Sequence, residues 1–117
     1  MGPARGDDWQ RLRAMNHKID FAAMDWAVAA PGARFKAIDR DGSRLRLLEF
    51  TPQFVETDWC RKGHIGVVLE GVLEIEFSSL AERFEAGQAL FIPPGEVGKH
   101  NAHALSERVL LFVVEPG

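Results

Sequence analysis

The feature that most constrains this chain is a two-residue rhythm. In the segment VLEIEF, Leu73, Ile75 and Phe77 fall on one side and Glu74 and Glu76 on the other, the mark of a half-buried β-strand. The rhythm recurs in RFKAID (Arg34 to Asp39), in RLRLLEF (Arg44 to Phe50) and in HIGVVLE just before Gly71. Between the first two lies RDGS, whose Asp-Gly step suits a turn with positive φ. Pro52 and the polar residues after it open a connection, and Ser78 and Ser79 end the VLEIEF run. ERFEAG then leads to QALFIPPG, a short apolar strand stopped by Pro93, Pro94 and Gly95. The closing run RVLLFVVE (Arg108 to Glu115) is almost wholly apolar, so it is expected to be covered on both faces. About eight or nine short strands at near-regular spacing, punctuated by Gly and Pro, predict an all-β sandwich or barrel. No internal repeat or low-complexity tract interrupts this pattern, and no convincing helix lies beyond the N-terminus.

At 117 residues the chain suffices for one domain, and 46% hydrophobic with 26% charged residues is the balance of a soluble globular protein. The net charge is −3 and the Lys and Arg are scattered, which argues against a nucleic-acid footprint. No apolar run approaches the roughly 18 residues of a membrane span, and no secretory h-region follows the N-terminus. A single Cys cannot form an internal disulfide, so a cytoplasmic location is expected. Residues 1–18 read as an N-terminal extension and 19–117 as the β domain. In the extension Asp7 or Asp8 would cap a short helix with Trp9, Leu12 and Met15 on one side, or the segment would be loose. MNHKIDF has the look of a natural start, predicting translation from Met15.

Two pieces of the sequence together resemble the cupin superfamily. The first motif of that family runs G-x5-H-x-H-x(3,4)-E-x6-G and the second G-x5-P-x-G-x2-H-x3-N. Gly71, in the setting VLEG, matches the last Gly of the first motif; Gly87, Pro93 and Gly95 match the opening of the second. The resemblance implies a cupin-type, RmlC-like jelly roll, spans about two-thirds of the chain, and extends in wording (WCxKGHxGxVLEG) to a subgroup of small bacterial cupins. The family's metal ligands are absent from their motif positions. The motif Glu position holds His64, the two His positions hold Asp58 and Cys60 or Thr57 and Trp59 depending on the gap, and the second motif's His and Asn positions hold Gly98 and Ala102.

A substitute set is nonetheless available. With the shorter gap Asp58, Cys60 and His64 share even parity, as do Glu96, Gly98 and His100, so unbroken strands would turn each group to one face. If the family's ligand positions face the barrel, the five side chains can converge there. Cys60, His64 and His100 then form the candidate metal set, suited to zinc, iron, nickel or copper, with Glu96 as a further ligand-binding residue. Against this stands the apolar character of Trp59, Ile65, Val67 and Leu69, which on pattern alone makes the odd face the buried one. A bulge at Gly63 or Gly66, or a dimer interface, would reconcile the two. Cys60 with His64 or His100 also has the makings of a thiolate–imidazole pair, and spacing does not separate that from metal binding. Taken singly, each of these residues has a plainer reading: Cys60 as a small buried hydrophobe, the histidines as hydrogen-bonded structural groups, and Glu96 as a solvated side chain.

Three functions follow. The first is a cupin that binds a small polar molecule in its cavity beside an altered metal site. The second, implied by the resemblance, is a metal-dependent enzyme of dioxygenase, isomerase or decarboxylase type using Cys60, His64 and His100. The third is a structural barrel filled by side chains. A homodimer is expected in any case, because the apolar odd face would otherwise be an aggregation hazard.

Overall fold

The structure is a computed structural model that describes residues 17–116. The reading of a helix around Trp9, Leu12 and Met15, and of a start at Met15, lies outside the described residues. Among the described residues there are nine strands and one short 3-10 turn, Phe21–Ala23. The strands are β1 (Ala27–Ala30), β2 (Ala33–Arg40), β3 (Ser43–Phe50), β4 (His64–Glu70), β5 (Val72–Phe77), β6 (Ala81–Glu85), β7 (Ala89–Ile92), β8 (His100–Ala104) and β9 (Val109–Pro116). A six-stranded sheet runs β1-β2-β3-β9-β4-β7 and a three-stranded sheet runs β6-β5-β8, every pairing antiparallel. The two sheets pack face to face as a sandwich, with the last strand inserted between β3 and β4, a jelly-roll arrangement.

The turns follow the local chemistry. Asp41 and Gly42, at φ 47° and 76°, close β2 onto β3 with Arg40 opposite Ser43, the two-residue turn that matches the twist of its flanking strands. Gly71, at φ 85°, joins β4 to β5. A Cβ at that position would collide with the Arg108 carbonyl, so both backbone conformation and space demand glycine there.

The core lies between the sheets. Val68, Leu73, Val109 and Val113 are fully buried, joined by Leu48, Ile75, Leu90, Ile92 and Leu111. On β9 the odd residues face this core. The even residues Leu110, Phe112 and Val114 are only half covered, so the expectation of a strand covered on both faces holds fully for one face alone. The segment before β1 supplies part of the outer cover. The Phe21 and Phe112 rings sit 6.0 Å apart, and the buried Lys36 amine donates to the Phe21 carbonyl at 2.7 Å. The Arg34 guanidinium and Lys36 amine flank the Trp26 ring at 4.3 and 4.6 Å from its centroid.

The parity of β4 is the reverse of the one its apolar pattern predicts. His64 and Val68 face the interior, whereas Ile65 and Leu69 are 55% and 48% exposed. No bulge at Gly63 or Gly66 is involved; the register shift lies between Val68 and Glu70. Gly66 has a different task. A Cβ there would strike the Phe112 carbonyl, so glycine lets β4 lie close against β9.

Candidate metal and ligand site

Cys60, His64 and His100 meet inside the sandwich, with one donor atom from each lying within 4.8 Å of the others. Three different local devices bring them there. His64 is the first residue of β4 and faces inward. His100 is the first residue of β8, in the opposite sheet. Cys60 belongs to no strand. It is held by a single antiparallel rung, in which its amide donates to the His100 carbonyl at 2.8 Å and its carbonyl accepts from the His100 amide at 2.9 Å. The unbroken strand expected from Asp58 to His64 is absent, so Cys60 reaches the interior through this rung rather than through parity with His64. Asp58 is exposed in the preceding bend.

Glu96 lies apart from the cluster. Residues 93–99 form a turn rather than a strand, because Pro93 and Pro94 are followed by Gly95 at φ 100°. The exposed Glu96 carboxylate accepts from Arg61 at 2.7 Å and from Lys99 at 3.0 Å, and these cations hold its carboxyl down to about 2. The same turn explains Gly98, which stands where the cupin motif has a histidine. A side chain there would collide with the Pro93 carbonyl. The Gly98 carbonyl instead accepts from His100 Nδ1 at 2.8 Å.

Each imidazole therefore has its Nδ1 held by the protein and its Nε2 turned toward the sulfur. His100 Nδ1–H points to the Gly98 carbonyl, which turns Nε2 toward Cys60. His64 Nε2 lies 3.7 Å from the Cys60 sulfur, and its Nδ1 lies 2.6 Å from Glu115 Oε2. The latter approach is close but out of line for a straight N–H···O bond, so its attraction is chiefly electrostatic. Glu115 is itself buried and takes a two-pronged grip from Arg46, at 2.6 and 2.7 Å.

The electrostatics favour charge separation. Hydrogen bonds from His100 and then His64 pull the Cys60 thiol down to about 5, against the opposing effect of burial. Burial pulls the His64 imidazole down, but the Cys60 sulfur and the Glu115 carboxylate outweigh it and push the ring up to about 9. For His100 burial also works downward and is outweighed by Cys60 and the Gly98 carbonyl, so it too is raised. The Glu115 carboxyl is pushed up by burial but driven down to about 2 by His64 and Arg46.

The cluster opens onto a cavity of about 180 Å3 walled by Leu48, Phe50, Leu73, Ile75, Leu111 and Val113. Glu56, from the loop before Cys60, is the one carboxyl lining it among the described residues. It accepts from the Ala102 amide at 2.8 Å, and burial pushes its carboxyl up. Glu56, Arg46 and Glu115 did not figure among the candidate site residues. For the last two a signal existed: each is a charge at an inward parity position, Glu115 in an otherwise apolar strand and Arg46 on the face it shares with Leu48 and Phe50. Glu56 sits in a loop, where parity says nothing.

This architecture is the cupin fold, and comparison with solved structures bears that out. KdgF from Halomonas sp. superposes with a TM-score of 0.68 at 23% identity, covering 82% of this chain and 91% of its own. An RmlC-like cupin from Shewanella frigidimarina NCIMB 400 gives 0.70 at 15% identity, covering 88% and 93%. A cupin-2 domain protein from the same organism gives 0.57 at 21% identity, covering 92% and 90%. No protein-family model and no curated protein matches the sequence. Among the described residues no helix is long and apolar enough to cross a membrane.

Proposed function

We propose that this chain is a small-molecule-binding cupin whose cavity carries a divalent metal on Cys60, His64 and His100. The observation that carries the reading is the convergence of one sulfur and two imidazole nitrogens within 4.8 Å at the wall of a cavity. The donor set fits. Tetrahedral zinc, with Zn–S of about 2.3 Å and Zn–N of about 2.0–2.1 Å, needs sulfur–nitrogen separations of about 3.5 Å and nitrogen–nitrogen separations of about 3.3 Å. The Cys60–His64 separation of 3.7 Å is already close to that. Both imidazoles have their Nδ1 committed elsewhere, and the thiol is poised to ionise. With these three residues as donors, a tetrahedral metal would have room for one ligand atom from the cavity. Such a metal would supply Lewis acidity to a bound oxygen or nitrogen.

The walls argue for a ligand with a mostly apolar body and one polar head, a departure from the small polar molecule expected from sequence. Glu56, kept toward its neutral form, is placed to hydrogen-bond that head. The exposed outer-face pair Ile65 and Phe91, which stand opposite each other on β4 and β7, supports a homodimer through that face. Light scattering at micromolar concentration checks it, and a clean monomer refutes it. A reducing compartment such as the cytoplasm would keep Cys60 available as a thiolate.

Metal analysis of protein purified without an affinity tag tests the principal reading. Near one equivalent of zinc, iron, nickel or copper is expected, lost in both Cys60→Ser and His64→Ala. A metal-free wild type whose melting temperature is raised by small carboxylic acids would favour a metal-free binder instead.

A further inference from the structure

We propose that Glu115, clamped by Arg46, is the positioning residue that sets the metal affinity of the site by fixing the orientation and polarity of His64. The inference rests on the metal reading above and goes beyond its three ligands.

The geometry is specific. Glu115 is the seventh residue of β9 and faces inward, where an apolar side chain would continue the run Val109, Leu111, Val113. It is only 5% exposed, so its charge is retained at a desolvation cost that packing alone does not explain. One side of the carboxylate is taken up by Arg46 Nε and Nη2 at 2.6 and 2.7 Å. Its Oε2 also faces His64 Nδ1 at 2.6 Å, while His64 Nε2 faces Cys60. The order Arg46, Glu115, His64, Cys60 is thus a chain from a permanent cation to a sulfur. The carboxylate charge beside Nδ1 favours keeping the proton on that nitrogen, which leaves Nε2 its lone pair and raises the basicity of Nε2 even though the approach is out of line for a straight hydrogen bond. Arg46 prevents the carboxylate from swinging away, since a bidentate grip fixes its plane. His100 has only a neutral carbonyl at its Nδ1, so the two imidazoles are unequal donors and His64 is the one whose strength the fold adjusts.

The test is a titration of Co²⁺ into the full chain, followed by its thiolate-to-cobalt charge-transfer absorption. Wild type is compared with Glu115→Gln and with Glu49→Gln, a control that removes a similarly buried, Arg-paired carboxylate on the outward face of β3. Glu115→Gln is expected to weaken Co²⁺ binding about 10- to 100-fold while keeping the band at saturation, because Cys60 still ligates. In the zinc-loaded protein, the His64 Nδ1–H resonance of ¹⁵N-histidine-labelled samples is expected to move upfield in the variant. Glu49→Gln is expected to lower stability but leave Co²⁺ affinity within about threefold. Should Glu115→Gln not fold, Arg46→Met/Glu115→Leu removes both charges together and is expected to fold and to lose affinity by at least as much. A Glu115→Gln affinity within about threefold of wild type, or an equal loss in Glu49→Gln, overturns the inference while leaving the metal site standing. A wild type that takes up no Co²⁺ or Zn²⁺ overturns both.

Discussion

Two carboxylates are buried in the larger sheet, and they are held in different ways. Glu49, 7% exposed, faces outward from β3 and is shared by two guanidinia: Arg34 at 2.6 and 3.1 Å, and Arg108 at 2.6 Å. Arg108 reaches on to Glu70, so the network ends in half-exposed charges at the surface. Glu115, 5% exposed, faces inward and has one guanidinium and one imidazole. The first carboxylate is surrounded by charges that never titrate in the range where a protein stays folded. The second is tied to a ring that does, and the ring is tied to a thiol. A buried ion pair with only permanent cations around it holds strands in register; one that includes a histidine transmits its charge to chemistry next door.

The comparison breaks most readily at the arginines. Arg46→Ala leaves the Glu115 charge buried without its guanidinium and is expected to destabilise the fold by about 3–5 kcal/mol in chemical denaturation. Arg34→Ala leaves Glu49 with Arg108 and removes a side chain that is 44% exposed, so its cost is expected to stay near ~1 kcal/mol. Equal costs would show that the two clamps do not differ in kind.

Acid sharpens the contrast next. The Glu115 carboxyl titrates near 4.5 when unfolded and is held at about 2 in the fold, so its contribution is complete above the first value. As pH falls from there toward about 2 the contribution disappears, up to about 3 kcal/mol in all. Glu115→Gln is expected to flatten that part of the stability profile measured by urea denaturation, and an unchanged slope would contradict the assigned pairing.

The smallest effect concerns Cys60. Its thiol lies at about 5, far below the usual 9.0, so metal-free protein is expected to react with iodoacetamide at a rate nearly constant from pH 8 to 6 and falling as the pH passes through about 5. His64→Ala removes the second of the two imidazole contacts and is expected to move that fall upward by roughly one pH unit. An ordinary thiol profile, rising steadily to pH 9, would refute it.

Much of this was legible in the residues. The Asp41-Gly42 turn, the Gly71 junction and the Gly87, Pro93, Gly95 skeleton are positions where backbone chemistry leaves little choice, and together with the two-residue rhythm they carried the all-β reading. The meeting of Cys60, His64 and His100 was legible only as a set, because its geometry comes from a rung between a loop and β8 that no spacing rule encodes. Glu96 was misleading as a candidate for convergence because strand parity was assumed from Glu96 to His100, where the chain is still in the turn that precedes β8. The face of β4 was also misread from pattern. An interior that holds His64 and Gly66 is less apolar than an exterior that shows Ile65 and Leu69, so hydrophobicity pointed away from the cavity.

The Cys60–His100 rung has one more consequence. It fastens the loop to the three-stranded sheet, while His64 and Glu115 belong to the six-stranded one. The cluster therefore spans the seam of the sandwich, and its sulfur is the point at which the two halves are cross-tied without a covalent bond. Any breathing that parts the layers at this end must draw an imidazole away from that sulfur, so the opening of the barrel and the readiness of its chemistry are a single motion.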